Sequence, residues 1–337
     1  MTSTSLEARS NVLVFLLNGF GDCFLALPVL REIQRRFRSK TVYMAAFNDE
    51  INSLFGDLDF DFIRINRTAL GRSRFETEEF DFEQIVSLNA YFPCSIESEL
   101  TAGRERLPRW AFCDLKGNAL KLDHLHMRDQ YFHILGWQPL YSEADRQVFV
   151  SNETLTAVEE IIREWIRSLG ASFYAIHLDS LPDKMWPTSS WIDVVDYMRS
   201  RWVAWPIILG EESKQAEVLL QQFSYARKLP SSLGISAHFV AVKQARAFLG
   251  IDSIFAHIAD SYGLPSVILF GPSDPIVWGP VSKNSRLIIA RNRELSDLAP
   301  LQVKQQLDAV LTSGSEPVFS EWNFGDVKWS LKQPNSF

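Results

Sequence analysis

The segment VLVFLLNGFGDCFLALPVLREIQRRF, residues 12–37, holds the pattern that decides the fold. Its first six residues form a continuous apolar run, which is typical of a parallel strand that is buried on both faces. The glycines of NGFGD (18–22) permit a sharp turn after that strand, and the apolar spacing beyond them indicates a helix that ends in LREIQRRF. A strand, a glycine turn and a helix in this order predict the first unit of an open parallel α/β sheet.

Apolar segments with the length of strands continue through the first half of the chain. They are TVYMAAF (41–47), FDFIRI (60–65) and FEQIVSL (82–88). Residues 91–125 are interrupted by prolines and glycines and are expected to be irregular, and a helix is expected around residues 126–136. The first half is therefore predicted to form one parallel sheet covered by helices.

The alternation restarts after residues 151–170, SNETLTAVEEIIREWIRSLG, whose cap signal, apolar spacing and final glycine predict a helix. Strands are predicted at 173–178, 204–209, 245–252 and 266–271, and helices at 190–201, 212–224 and up to 262. We therefore expect two Rossmann-like, doubly wound domains, at residues 1–150 and 151–312, and a tail at 313–337 that packs back on the body. Ligands bind at the carboxyl ends of such strands, so function is expected in the loops after residues 17, 178, 209, 251 and 271.

The composition excludes several classes of protein. With 337 residues, of which 46% are hydrophobic, the chain has enough apolar surface for two cores. The formal net charge of −7 disfavours nucleic acid as a partner, because binding to a phosphate backbone relies on clustered Lys and Arg.

The cysteines and the apolar runs indicate the cellular compartment in which the protein is expected. Cys23, Cys94 and Cys113 are widely spaced and odd in number, which predicts neither a disulfide framework nor a structural zinc site. The opening MTSTSLEARS lacks the pattern of a signal peptide, and no apolar run approaches the roughly 20 residues that span a bilayer. We expect a cytoplasmic protein with no transmembrane segment and at most peripheral contact with the inner membrane.

Residues 245–280, ARAFLGIDSIFAHIADSYGLPSVILFGPSDPIVWGP, carry the most informative pattern. They resemble the C-terminal signature of glycosyltransferase family 9, the heptosyltransferase-like enzymes, in which D-[ST]-x-x-x-H precedes G-x-P and [FY]-G-P-[ST]-D-P-x-x-x-G. The matching residues are Asp252, Ser253, His257, Gly263, Pro265, Phe270, Gly271, Pro272, Ser273, Asp274, Pro275 and Gly279. Residues 19–37 and 177–191 resemble the family's glycine-rich opening and its central K-x-W-P loop. Three matches in the expected order, spread over nearly the whole length, are more specific than any one of them.

This resemblance implies a GT-B fold, in which two Rossmann-like domains face each other across a cleft. It further implies an inverting, metal-independent glycosyltransferase that moves a sugar from a nucleotide diphosphate to an acceptor hydroxyl. The implied donor is ADP-heptose, and the implied acceptor is a lipopolysaccharide core sugar. The acidic balance gives no obvious anchor to an anionic membrane surface, so a soluble small-molecule or protein acceptor stays an alternative.

The donor phosphates are expected at the start of the helix after Asp252, because free backbone amides at a helix start favour an anion. Ser253 would add a hydroxyl there, although both residues also suit plain helix capping. His257, one turn later, is expected as a packed residue near the donor. The resemblance implies that Gly271 and Pro272 close around the donor, while Asp274 holds the shape of their loop.

Two further loops complete the expected donor site. Lys184 of the K-x-W-P loop would meet the charge that develops on the leaving diphosphate. Ser180 stands where the family has small hydroxyl residues that contact phosphate, whereas its neighbour Asp179 departs from that pattern because a carboxylate repels a diphosphate. Glu211, after the strand at 204–209, is expected to bind the ribose hydroxyls, with Glu212 as an alternative; both also suit the first turn of a helix.

Asp22 is the expected catalytic base. Gly19 and Gly21 allow the sharp turn that would place this carboxylate at the carboxyl edge of the sheet, and the resemblance assigns it the proton of the acceptor hydroxyl. Gly21, with Arg64 and Arg67 from a probable loop, is the expected acceptor site, since Arg groups suit anionic acceptors. Such arginines are otherwise ordinary solvated surface.

No metal and no other cofactor are expected. The chain lacks a D-x-D motif, and Cys113, His124 and His126 do not match a metal-binding spacing. Two other functions stay open: an epimerase or hydrolase that acts on the nucleotide sugar alone, and a nucleotide-sugar-binding protein without turnover. The presence of both Asp22 and Lys184 argues against the binding protein, because donor binding alone has no use for a base.

Overall fold

The computed structural model of the protein describes residues 11–16, 19–46, 52, 54–64, 82–88, 122 and 124–312. The chain divides into two compact units, Met1–Val150 and Ser151–Phe337. The C-terminal tail expected at residues 313–337 lies outside the described residues. Among the residues that are described, no helix is both long enough and apolar enough to cross a membrane.

The first unit contains a parallel four-stranded sheet with the strand order β3-β2-β1-β4. Its strands are β1 (Asn11–Phe15), β2 (Thr41–Ala46), β3 (Phe60–Arg64) and β4 (Phe82–Ser87). Its helices are α1 (Phe20–Leu25), α2 (Leu27–Arg36) and α3 (Met127–Ile134). The central strand β1 has no exposed side-chain surface from Val12 to Phe15, which confirms that the opening apolar run is a buried parallel strand.

The second unit contains a parallel six-stranded sheet with the order β10-β9-β8-β5-β6-β7. Its strands are β5 (Ser172–His177), β6 (Ala204–Ile208), β7 (Arg227–Lys228), β8 (Phe248–Ile251), β9 (Ser266–Phe270) and β10 (Ser285–Ile289). Its helices are α4 (Asn152–Leu169), α5 (Thr188–Trp202), α6 (Lys214–Gln222), α7 (Gly234–Gln244), α8 (Ile254–Ser261), α9 (Pro275–Trp278) and α10 (Pro300–Thr312). An apolar cluster of buried side chains packs α5, α6 and α10 against this sheet.

Helix α4 shows how local sequence sets the element boundaries. The Ser151 hydroxyl accepts a hydrogen bond from the Thr154 amide, which satisfies one of the free N–H groups at the helix start. Gly170 ends the helix in the left-handed region, with φ of +61°, where a residue without Cβ is unstrained. The cap signal and the final glycine of residues 151–170 therefore predicted this helix correctly.

Five helices and strands of the second unit were not predicted: β7, β10, α7, α9 and α10. Strand β7 has only two residues, and the edge strand β10 buries only Ile288 well, so neither has an apolar run. Helix α7 is buried over six consecutive residues, 237–242, and therefore lacks the polar face on which helical periodicity depends.

Two histidines are buried in the second unit beside the ring of Phe255. The ring centroid of Phe255 lies 4.7 Å from that of His177, at the end of β5, and 5.9 Å from that of His238, in α7. Burial, with a smaller contribution from His238, lowers the pKa of His177 to about 3. Burial, with a contribution from the Lys228 charge, lowers the pKa of His238 to about 4. Both imidazoles are therefore neutral near pH 7.

We expect His238→Gln to flatten the loss of stability at mildly acidic pH. The unfolded chain binds a proton at this histidine below about pH 6.5, whereas the folded protein does so only near pH 4, so folding loses about 1.4 kcal/mol per pH unit in between. Urea midpoints at pH 7, 6 and 5 measure this slope. The exposed His124→Gln serves as the control, and a His238→Gln slope parallel to that of the unaltered protein would contradict the prediction.

Candidate functional site

The start of α8 is the centre of the candidate site. Strand β8 ends at Ile251, and the buried Asp252 donates its backbone N–H to the Leu269 carbonyl oxygen at 3.2 Å, which ties it to β9. As expected, a helix starts after Asp252, and Ser253 is its N-cap residue. Its hydroxyl makes no capping hydrogen bond and is buried without a partner. The free amides of α8 and this hydroxyl are therefore available to an anion.

Lys184 is held beside this helix start. It ends the 3₁₀ turn Pro182–Lys184 after β5, and its Nζ donates to Asp252 Oδ2 at 2.8 Å. The two side chains are only 24% and 9% exposed, so the pair is partly shielded from water. The ion pair joins the K-x-W-P loop to the D-S motif. The sequence analysis expected each of these two motifs at the donor site. An ammonium carries three N–H donors, so Lys184 can meet a further anion while it stays bound to Asp252.

Trp186 fixes the loop that carries Lys184. Its indole is fully buried, donates Nε1–H to the Leu298 carbonyl at 2.9 Å and packs edge-on against Trp191, with ring centroids 4.7 Å apart. Its backbone carbonyl accepts a hydrogen bond from Gln215 Nε2 at 2.7 Å. The tryptophan of the K-x-W-P motif therefore acts as an anchor in the core, two residues from the lysine.

The loops after β5 and β6 carry Asp179, Ser180 and Glu211, which differ in burial. Asp179 is half-buried and accepts a hydrogen bond from the Ser213 hydroxyl. Burial raises the pKa of this carboxyl group, against the opposing effects of Ser213 and of the Lys228 charge. Ser180 and Glu211 are both exposed, as is Glu212. Ser213 and Lys228 were missed by the sequence analysis, because a two-residue strand and a lone capping serine give no functional signal.

The GPSDP loop follows β9 and is tightly built. A Cβ added to Gly271 would lie 3.2 Å from the Arg293 carbonyl oxygen and 3.3 Å from Leu295 Cγ, so a larger residue would displace its neighbours. Asp274 Oδ1 accepts a hydrogen bond from the Ile276 amide at 2.9 Å and caps α9. This carboxylate holds the shape of the turn, the role expected for it. Pro272 is exposed.

His257 lies in α8, one turn from the helix start. Its side chain is buried, and its backbone N–H is directed to the Ser253 carbonyl oxygen at 3.4 Å. This burial matches the expectation of a packed residue.

Asp22 lies in the first turn of α1, after β1 in the first unit. Gly19 is the N-cap residue, so Asp22 does not cap this helix. Its backbone carbonyl accepts hydrogen bonds from the Ala26 amide at 3.1 Å and from the Tyr131 hydroxyl at 3.2 Å. Tyr131 is fully buried in α3, so two helices fix the backbone at Asp22. Asp22 and the adjacent Gly21 are half-buried.

The remaining expected residues are only partly described. Arg64 ends β3, and Arg67 and Cys113 lie outside the described residues. His126 accepts a hydrogen bond from the Arg128 amide through Nδ1 at 3.2 Å and so caps α3. In the part of the chain that the structure describes, no three His, Cys, Asp or Glu side chains are grouped to hold a metal ion.

Comparisons with known proteins show which family this segment of the chain resembles. The sequence model of glycosyltransferase family 9 (heptosyltransferase) matches residues 169–306. Lipopolysaccharide heptosyltransferase 1 of Escherichia coli O18:K1:H7 (strain RS218 / NMEC) is 25% identical over 142 residues, 41% of this chain and 43% of that protein. The chain therefore matches less than half the length of this curated relative.

Solved structures of a glycosyl transferase family 9 protein and of a heptosyltransferase share the fold. The glycosyl transferase family 9 protein of Veillonella parvula DSM 2008 superposes with a TM-score of 0.68 at 16% identity, over 90% of this chain and 98% of that chain. The E. coli heptosyltransferase WaaC with ADP gives 0.63 at 16% identity, over 89% and 99%. These likenesses confirm the expected fold class, GT-B with two Rossmann-like units. The resemblance to glycosyltransferase family 9 is likewise confirmed, for the segment 169–306 that holds Lys184, Asp252 and the GPSDP loop.

Proposed function

We propose that this protein is an inverting, metal-independent glycosyltransferase that moves a heptose from ADP-heptose to an acceptor hydroxyl. The observation that carries the proposal is the Lys184–Asp252 ion pair beside the unbonded Ser253 hydroxyl and the start of α8, within the family 9 segment. The choice of donor is supported by the heptosyltransferase solved with ADP and by the lipopolysaccharide heptosyltransferase among the relatives.

The donor diphosphate lies against the start of α8 in this proposal. The free amides of that helix and the Ser253 hydroxyl bind its oxygens, and Ser180 adds a second hydroxyl. Lys184 stabilises the negative charge that grows on the diphosphate as the bond to the anomeric carbon breaks. Its attachment to Asp252 keeps the ammonium in place before the donor arrives, so little reorganisation is needed during the reaction.

The remaining donor contacts come from neighbouring loops. Glu211 accepts hydrogen bonds from the ribose hydroxyls. Gly271 and Pro272 line the donor from the GPSDP loop, whose shape depends on Asp274. His257, which is buried one turn along α8, supports the helix start in this proposal.

Asp22 acts as the general base. Its carboxylate takes the proton of the acceptor hydroxyl while that oxygen forms a bond to the anomeric carbon on the face opposite the diphosphate, and the nucleoside diphosphate leaves. Gly21, Arg64 and Arg67 bind the acceptor, for which an anionic sugar of the lipopolysaccharide core and a soluble small molecule are both candidates. The hydrogen bond from Tyr131 to the Asp22 carbonyl keeps the base oriented.

We expect Lys184→Ala to reduce the thermal stabilisation that ADP-heptose or ADP gives to the unaltered protein. A ligand that binds only the folded state raises its melting temperature, and loss of a cation at the diphosphate weakens that binding. GDP- and UDP-sugars tested alongside identify the nucleotide. The variant also leaves the Asp252 carboxylate without its cation, so the shift caused by ligand is the relevant quantity and not the melting temperature itself.

The exposed Lys283→Ala is the matched control for this measurement. Equal ligand-induced shifts for Lys184→Ala and Lys283→Ala would remove Lys184 from the donor site. If no nucleotide sugar shifts the unaltered protein, the proposed function is wrong.

We expect Asp22→Asn to bind donor normally and to transfer sugar about 10²–10⁴-fold more slowly, because an amide cannot accept the hydroxyl proton. Mass spectrometry of ADP-heptose incubated with a heptose-deficient lipopolysaccharide core measures transfer. Asp59→Asn, an exposed carboxylate of the same unit, is the control. Undiminished transfer by Asp22→Asn would refute the assignment of the base.

The same assay separates the alternative functions. Donor consumed without acceptor would indicate an epimerase or hydrolase, whereas donor bound but never consumed with either class of acceptor would indicate a binding protein.

A further inference from the structure

We propose that Lys228 is a positioning residue for nucleotide recognition. It fixes one end of the turn 210–213, which carries Glu211, and Asp179 fixes the other end. The inference rests on the proposed function, because it assigns a task to a turn whose ligand is the donor ribose. Neither Lys228 nor Ser213 belongs to the motifs that indicated the family.

The first end of the turn is fixed at Gly210. This residue has φ of +91°, a conformation that strains any residue with a Cβ. A Cβ there would also lie 3.1 Å from His177 Nε2, so the backbone passes close to a buried imidazole. Lys228 Nζ donates a hydrogen bond to the Gly210 carbonyl oxygen at 3.0 Å. The turn therefore leaves β6 in one defined direction, held from the neighbouring strand β7.

The second end of the turn is fixed at Ser213, the N-cap residue of α6. Its hydroxyl accepts a hydrogen bond from the Ala216 amide at 3.1 Å and donates one to the Asp179 carboxylate. Asp179 lies just beyond β5, the strand on the other side of β6. Three adjacent strands thus supply the fixed points of a four-residue turn.

The charges of this arrangement explain why a carboxylate is tolerated next to a candidate diphosphate site. Asp179 is half-buried, and its burial alone favours the protonated form, whereas the Lys228 charge and the Ser213 hydroxyl favour the ionised form. Lys228 therefore offsets the carboxylate that departs from the family pattern. An Asp179 that is engaged with Ser213 and faces a cation repels an anion less than an isolated carboxylate would.

Fixing both ends limits the positions that Glu211 can adopt. The side chains of Glu211 and Glu212 are exposed, so nothing packed around them sets their place. Holding the backbone on either side lowers the entropy that is lost when a flexible side chain is ordered on a ligand. The benefit applies to the group that Glu211 binds, the ribose hydroxyls, and not to the diphosphate.

The test compares the affinities of ADP and 2′,3′-dideoxy-ADP, measured by calorimetry for the unaltered protein and for Lys228→Met. The ratio of the two dissociation constants reports recognition of the ribose hydroxyls, because any change in repulsion of the diphosphate affects both nucleotides and cancels. We expect the unaltered protein to favour ADP by at least about tenfold, as hydrogen bonds to a charged group do. Lys228→Met should reduce that preference to about twofold or less.

Two further variants keep the result interpretable. Lys243→Met, an exposed lysine of α7, should leave the preference for ADP unchanged. Ser213→Ala releases the other end of the turn without altering Lys228 and should lower the preference in the same direction, which covers the case in which Lys228→Met does not fold.

An undiminished preference for ADP in Lys228→Met or in Ser213→Ala would overturn the inference. Equal binding of the two nucleotides by the unaltered protein would also overturn it, while leaving the diphosphate part of the proposed function intact. Failure of the unaltered protein to bind either nucleotide would instead contradict the proposed donor site itself.

Discussion

The ion pair between Lys184 and Asp252 is the constraint on which the rest of the candidate site depends. A nearly buried carboxylate at the start of α8 is costly unless a cation and hydrogen bonds satisfy it, and Lys184 supplies the cation at 2.8 Å. The pair joins the loop after β5 to the helix after β8, strands that are neighbours in the sheet although the residues are far apart in the chain. It thereby sets the position of the one ammonium that the K-x-W-P motif provides.

On the other side of β5, polar side chains also join the segments that follow neighbouring strands. Strands β8, β5, β6 and β7 are consecutive in the sheet, and polar side chains tie together the segments at their carboxyl ends. Lys184 and Asp252 join the first two, Asp179 and Ser213 join the next, and Lys228 binds the carbonyl at the end of β6. The edge at which a Rossmann-like sheet binds its ligand is therefore held together by charges and hydrogen bonds.

The sequence predicted the fold class, the buried strands and the helix with clear caps, because those features follow from local periodicity and from capping residues. It also indicated the resemblance to glycosyltransferase family 9, which the family model matches over residues 169–306. It did not predict that Lys184 would bind Asp252, since a contact across 68 positions leaves no local pattern. The contact of Lys228 was missed for a related reason: β7 has only two residues, and its lysine meets the Gly210 carbonyl only because the sheet brings the two segments together. Asp179 appeared in the sequence only as a departure from the family pattern, because its partners, Ser213 and Lys228, come from two other segments of the chain.

The burial of Trp186 couples the loop that carries Lys184 to the interior of its unit. Its indole donates a hydrogen bond to the Leu298 carbonyl and packs on Trp191. The backbone of Lys184, two residues earlier, is therefore restrained by the packing of the core. Heat that loosens this aromatic packing therefore also displaces the cation from the helix start. Thermal unfolding of the second unit should therefore also disrupt the Lys184–Asp252 pair. A more stable core would keep this candidate site intact at higher temperature without any change at the surface of the protein.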